Sequence, residues 1–115
     1  MDTISVEIAG EIMQGEPLFL SGEHVALPPE LIEEELELVY KLRTPVAELP
    51  AGTFLIVELR SSAYTGELVV AALGPRIYVG RYWGKYGLRE LRSHDGKTII
   101  ENPSIVGSVN QAVTR

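Results

Sequence analysis

The apolar positions of this chain fall into short runs of strand-like character, punctuated by Gly, Pro, Asn and Asp. Residues 53–59 (TFLIVEL) and 67–73 (ELVVAAL) are dense in β-branched and apolar side chains, while residues 76–83 (RIYVGRYW) alternate apolar with polar or Gly. Further runs follow at residues 88–91, at 97–101 around KTIIE, and from Ile105 to Val113. Turn chemistry separates them at Leu49-Pro50-Ala51-Gly52, Tyr64-Thr65-Gly66, Gly74-Pro75, His94-Asp95-Gly96 and Asn102-Pro103. Asp95-Gly96, set between two such runs, is the clearest hairpin signal. One segment carries two periods at once. In PPELIEEELELVYKL the prolines and first glutamates predict a single helical turn over residues 29–33. Leu36, Leu38 and Tyr40 then alternate with Glu35, Glu37 and Val39, which predicts a strand from Glu35 to Leu42. The pattern as a whole is mostly β.

Length and composition narrow the class. At 115 residues the chain holds one core and one domain, 1–115, and its 45% hydrophobic and 23% charged content is that of a folded globular chain. Without cysteine it has no disulfide framework and no thiolate metal site. No apolar run approaches the roughly 20 residues needed to cross a bilayer as a helix. A cytoplasmic location, with no membrane contact, is the expectation. The net charge of −6 is unevenly spread: residues 1–40 hold ten acids and no Lys or Arg. Residues 76–97 hold Arg76, Arg81, Lys85, Arg89, Arg92 and Lys97 against Glu90 and Asp95. Two solvated faces of one domain account for this, and salt-sensitive self-association is the sharper alternative.

The order of these elements resembles the carboxy-terminal domain of LexA-type repressors and the related UmuD-type proteins, a clan of Ser-Lys self-cleaving peptidases. Four stretches carry the resemblance, which covers nearly the whole chain. IAGEIMQGEPLFL, residues 8–20, is similar to the family's cleavage-site loop, with Gln14-Gly15 at the scissile bond. LPAGTFLIVE and TGELVVAAL are similar to two turn-then-strand units, and IVGSVNQAVTR to the closing strand that lines the family's dimer contact. The resemblance implies a signal-peptidase-like complex β-fold of twisted antiparallel sheets, with at most a short helical turn. It also implies that residues 1–20 form a cleavage-loop-like segment; no pair of helical patterns joined by a short Gly turn precedes the β region, so no DNA-binding domain is expected. A homodimer through Ile105, Val106 and Val109 is the expected assembly.

The family's chemistry needs a Ser nucleophile and a Lys base whose burial depresses its pKa. Laid on the family pattern, the nucleophile position falls on Arg43 and the base position on Gly80, so both halves of the dyad are missing. The expectation is a catalytically inactive domain serving as a dimerising or regulatory module, with a protein or peptide partner and no cofactor. The alternative is a self-processing enzyme in which Thr44 replaces the serine; an alignment shifted by one residue would place the nucleophile there. Lys41 and Lys85 are the nearest lysines in sequence.

Other constellations are weaker. His24 and His94 have no second ligand at metal spacing. Glu33, Glu34, Glu35 and Glu37 lack the Gly-punctuated loop of a calcium site and read as a solvated ridge. Gly80, Gly84 and Gly87 lack the helix a phosphate loop requires. Arg76, Tyr78, Arg81, Tyr82 and Trp83 interleave cations with aromatics, as single-strand nucleic-acid binders do. Yet the chain is acidic overall, and nucleic acid is not the expected partner.

Overall fold

Strand-forming runs this short are marginal as isolated pairs, and the chain gathers them into one continuous sheet. The protein is described by a computed structural model covering residues 2–32 and 37–114. Its elements are β1 (Ile4–Ile12), β2 (Glu16–Pro17), β3 (His24–Leu27), a 3-10 turn (Pro29–Leu31), β4 (Glu37–Leu42), β5 (Phe54–Leu59), β6 (Leu68–Leu73), β7 (Arg76–Lys85), β8 (Leu88–Arg92), β9 (Thr98–Glu101) and β10 (Ser104–Val113). The sheet runs β3-β1-β4-β5-β10-β6-β7-β8-β9, with β2 added to β7. Among the described residues the short 3-10 turn is the only helical element, and the fold is mostly β as the pattern predicts.

Pairing is antiparallel except between β1 and β4, which run parallel. The difference from a purely antiparallel arrangement follows from the chain path. After β1 it makes an excursion through β2 and β3, pairs β3 against one edge of β1, and returns as β4 along the other. Three apolar clusters form the core. One joins Ile12, Leu42, Leu55, Val57, Val70 and Val79; a second joins Ile8, Val25, Leu27, Val39 and Ile56; a third joins Val69, Ala71, Leu91 and Ile100. Consecutive residues Val69 and Val70 serve different clusters, as the two-residue period of a strand requires.

Two expectations are corrected here. The amino-terminal segment is not a loop over its length: Ile4–Ile12 is an interior strand with Ile8 and Ile12 buried, and after the turn at residues 13–15 the two-residue β2 pairs with β7. The closing strand is not a free edge either. β10 lies between β5 and β6, pairing with β6 over Ser104 to Ser108 and with β5 over Gly107 to Val113. Ile105 and Val106 are therefore covered by strands of the same chain, and Val106 and Val109 pack on the first cluster. Within β10, among the described residues, 109–113 have no ladder partner on the β6 side and 104–106 none on the β5 side, where Arg60 N donates to Val106 O. The helical turn at Pro29–Leu31 is present, whereas Glu33, Glu34, Glu35 and Leu36 lie outside the described residues.

Candidate functional site

The turn that follows β1 lands against the outer edge of β7. β2 covers that edge at Arg76 and Ile77, and β8 covers it from Arg81 onward, which leaves the backbone of Val79 facing a gap. The Gln14 side chain fills it: Gln14 Nε2 donates to Val79 O at 2.8 Å, and Val79 N donates to Gln14 Oε1 at 2.9 Å. A carboxamide carries the same donor and acceptor as a peptide group, so Gln14 completes the ladder where no strand passes. Gly15 N donates to Ile77 O at 2.9 Å, and Arg76 Nη1 donates to Gly15 O at 2.8 Å. The Gln14-Gly15 segment is thus clamped in place by its own chain.

Beside Gln14 opens a cleft of about 340 Å³. Val46, Leu49, Leu68, Val79 and Ile99 give it an apolar lining, and Arg81, Arg92, His94 and Glu48 stand around it. One wall is the tight turn in which Val46 and Leu49 exchange two backbone hydrogen bonds at 2.9 Å. The floor includes Gly80. A Cβ at that position would sit 2.8 Å from Arg92 O, 3.0 Å from Leu91 Cγ and 3.1 Å from Ile99 Cδ1. Glycine is needed here because β8 has closed onto β7.

Arg43 points elsewhere. Its Nε lies 3.5 Å from Glu11 Oε1, and its guanidinium sits 4.8 Å from the Phe19 ring. Glu11 is buried, so Arg43 supplies the countercharge that its carboxylate needs. The neighbouring Thr44 faces Gln14: Thr44 Oγ1 accepts from Gln14 N at 3.1 Å. That hydroxyl rests on the peptide group preceding the Gln14-Gly15 bond, and among the described residues no base is hydrogen-bonded to it. Neither lysine serves. Lys41 Nζ lies 3.8 Å from Glu23 Oε2, and Lys85 Nζ sits over the ring of Tyr86 at the exposed tip of the β7–β8 hairpin.

The basic, aromatic residues of β7 are not gathered into one platform. Tyr78 and Tyr82 pack on the third cluster. Arg81 and Trp83 alternate with them onto the opposite face, Arg81 Nη1 donating to Gly66 O at 3.2 Å. Arg92 lies 4.0 Å from the Trp83 ring and donates from Nε to Glu90 Oε2 at 3.1 Å, so its charge is already engaged. His24 is exposed on β3 opposite Glu7, and Glu37 Oε2 accepts from Asn110 Nδ2 at 2.9 Å.

A second polar assembly lay outside the sequence reading. Glu67 Oε2 accepts from Arg60 Nη2 and from Ser108 Oγ, both at 2.6 Å, and Tyr64 N donates to Glu67 Oε1 at 2.7 Å. A buried serine on a carboxylate invites comparison with a nucleophile and its base. The chemistry points the other way. The Ser108 hydroxyl above all, then the Tyr64 amide and Arg60, hold the Glu67 carboxyl below the usual carboxylate range, which makes it a poor proton acceptor. It clamps the loop before β6 onto β10.

Neither protein-family models nor curated proteins give a match to this chain.

Proposed function

We propose that this chain is a catalytically inactive LexA/UmuD-like domain that works as a dimerising protein-interaction module. The observation that carries the proposal is the state of the two positions where such a dyad would stand. Arg43 is committed to buried Glu11, and Gly80 has no room for a side chain under Arg92 O. The clamped Gln14-Gly15 turn supports the same reading, since a cleavage-type loop is held in a cleft that contains no nucleophile–base pair among the described residues.

Self-association belongs to the proposal through residues 109–113, whose open backbone side can pair with a two-fold mate. Sedimentation over a range of concentrations is expected to show a dimer. The decisive measurement is the intact mass of purified protein after long incubation at neutral and alkaline pH, where a lysine base would be neutral. The mass is expected to stay unchanged; a fragment beginning at Gly15 would overturn the reading in favour of a working peptidase.

A further inference from the structure

The contact between Gln14 and β7 is a rung of a β-ladder built from a side chain. Its place along the strand is specific: β2 ends its pairing at Ile77, β8 begins at Arg81, and the one outward-facing residue between them is Val79. Both polar atoms of Val79 on that side go to one carboxamide. An extended peptide offers the same pair of groups and, unlike a side chain, offers them repeatedly. The flanking β2 contributes two ladder pairs, Glu16 with Ile77 and Pro17 with Arg76, and Ile77 O and Arg76 Nη1 hold Gly15, so it is the Gln14 side chain, not the turn that carries it, that a competitor has to displace.

The cleft next to this rung is of ligand size, about 340 Å³, and its lining is apolar at Val46, Leu49 and Ile99. Its cations differ in availability. Arg92 is committed to Glu90 and Trp83, whereas exposed Arg81 holds only a 3.2 Å bond to a neutral carbonyl, and exposed His94 stands nearby. Against them, among the described residues, Glu48 is the one acidic lining residue. This charge balance suits a segment with apolar and acidic side chains in alternation.

Resting on the interaction-module reading above, we infer that the cleft receives an extended apolar-acidic peptide of a partner protein, and that Gln14 is the rung the peptide displaces from Val79. The incoming backbone takes the Val79 N–H and C=O, an apolar side chain enters between Val46, Leu49 and Ile99, and a carboxylate meets Arg81. Because the free protein spends its time with Gln14 seated, apparent affinity is reduced by the fraction of molecules whose edge is open.

The test uses the full chain and two synthetic probes: a capped hexapeptide alternating Val and Glu, and its Val and Lys counterpart. Calorimetry reads affinity, and the Val79 amide resonance reads the site. The Val-Glu peptide is expected to shift that resonance and to bind Gln14→Ala about tenfold more tightly than the natural chain, the loss of two modest hydrogen bonds from the competing state. Gln14→Glu keeps the acceptor for Val79 N but loses the donor to Val79 O, so it should fall between the two. Arg81→Glu should weaken the Val-Glu peptide and strengthen the Val-Lys peptide. Equal affinity across the Gln14 series, or an unmoved Val79 resonance at saturating peptide, would overturn the inference. If Gln14→Ala fails to fold, the resonance in the natural chain decides alone. A Val79 shift that follows protein concentration without peptide would replace the partner by a second copy. The mass of the same samples separates the two readings: cleavage at Gly15 defeats the interaction module, whereas intact protein without peptide binding defeats only this inference.

Discussion

Two polar assemblies join distant parts of the sheet, and they are built on opposite principles. Around Glu67 a charged carboxylate collects donors from Arg60, Tyr64 and the buried Ser108, tying residues 41 positions apart. Around Gln14 a neutral carboxamide meets the backbone of Val79 across 65 positions, half-exposed and beside an open cleft. Charge-assisted bonds at a half-buried carboxylate are strong and costly to leave unmade, whereas neutral bonds at an accessible edge exchange readily with water or with another peptide. One assembly locks a loop to the core; the other holds a place. Function is expected where the molecule is held weakly.

Substitutions sharpen or break this contrast, and their expected sizes are ordered. Gly80→Lys, the change that would place an amine beneath Gln14, should destabilise the protein by about 3 kcal/mol in chemical denaturation, because its Cβ forces β8 away from β7. It should restore no cleavage by intact mass. Glu67→Gln should cost about 2 kcal/mol at neutral pH through the lost charge-assisted bonds. The carboxyl's pKa is lowered in the folded state, so its stabilisation is fully present above the ordinary value of 4.5 and is lost as pH falls through the lowered one. Denaturation curves of the natural chain and of Glu67→Gln should therefore converge in acid. Gln14→Ala should cost only about 1 kcal/mol, since water can reach the groups it leaves behind. A loss larger than that of Glu67→Gln would break the contrast. Thr44→Val should be smallest, within about 0.5 kcal/mol of the natural chain by thermal melting, since it removes one long, half-exposed bond.

Much of the fold could be read from local pattern. Residues 53–59 and 67–73 became strands within a residue or so of their expected ends, because apolar, β-branched runs that follow a Gly turn have few alternatives, and 88–91 did so as the return arm of a hairpin. β7 ran on to Lys85, because the two-residue turn Tyr86-Gly87 closes the hairpin there, with Tyr86 accepting a positive φ of 54°. Less legible were the partners of each strand. Nothing in the alternation of residues 105–113 says that β10 lies inside the sheet, since an interior and an edge strand share the same two-residue period. In the site, residue type alone shows that Arg43 and Gly80 carry neither a hydroxyl nor an amine. It does not show the Gln14 rung, because a glutamine that imitates a peptide group looks like any polar loop residue until the strand it completes is known. The Glu67 clamp was hidden for the same reason: Arg60 and Ser108 reach it from other elements.

The close approach of Arg92 O to Gly80 has a consequence for the history open to this chain. Where a neighbouring strand has settled onto a glycine, every single substitution at that glycine meets the same obstacle, whatever chemistry it would bring. A lysine at position 80 can be accommodated only together with changes that lift β8, and each of those alone disturbs the packing of Leu91 and Ile99. The two steps must come at once, so the contact acts as a barrier: sequence drift can turn the cleft toward new ligands, while a base at its floor stays out of reach of single changes.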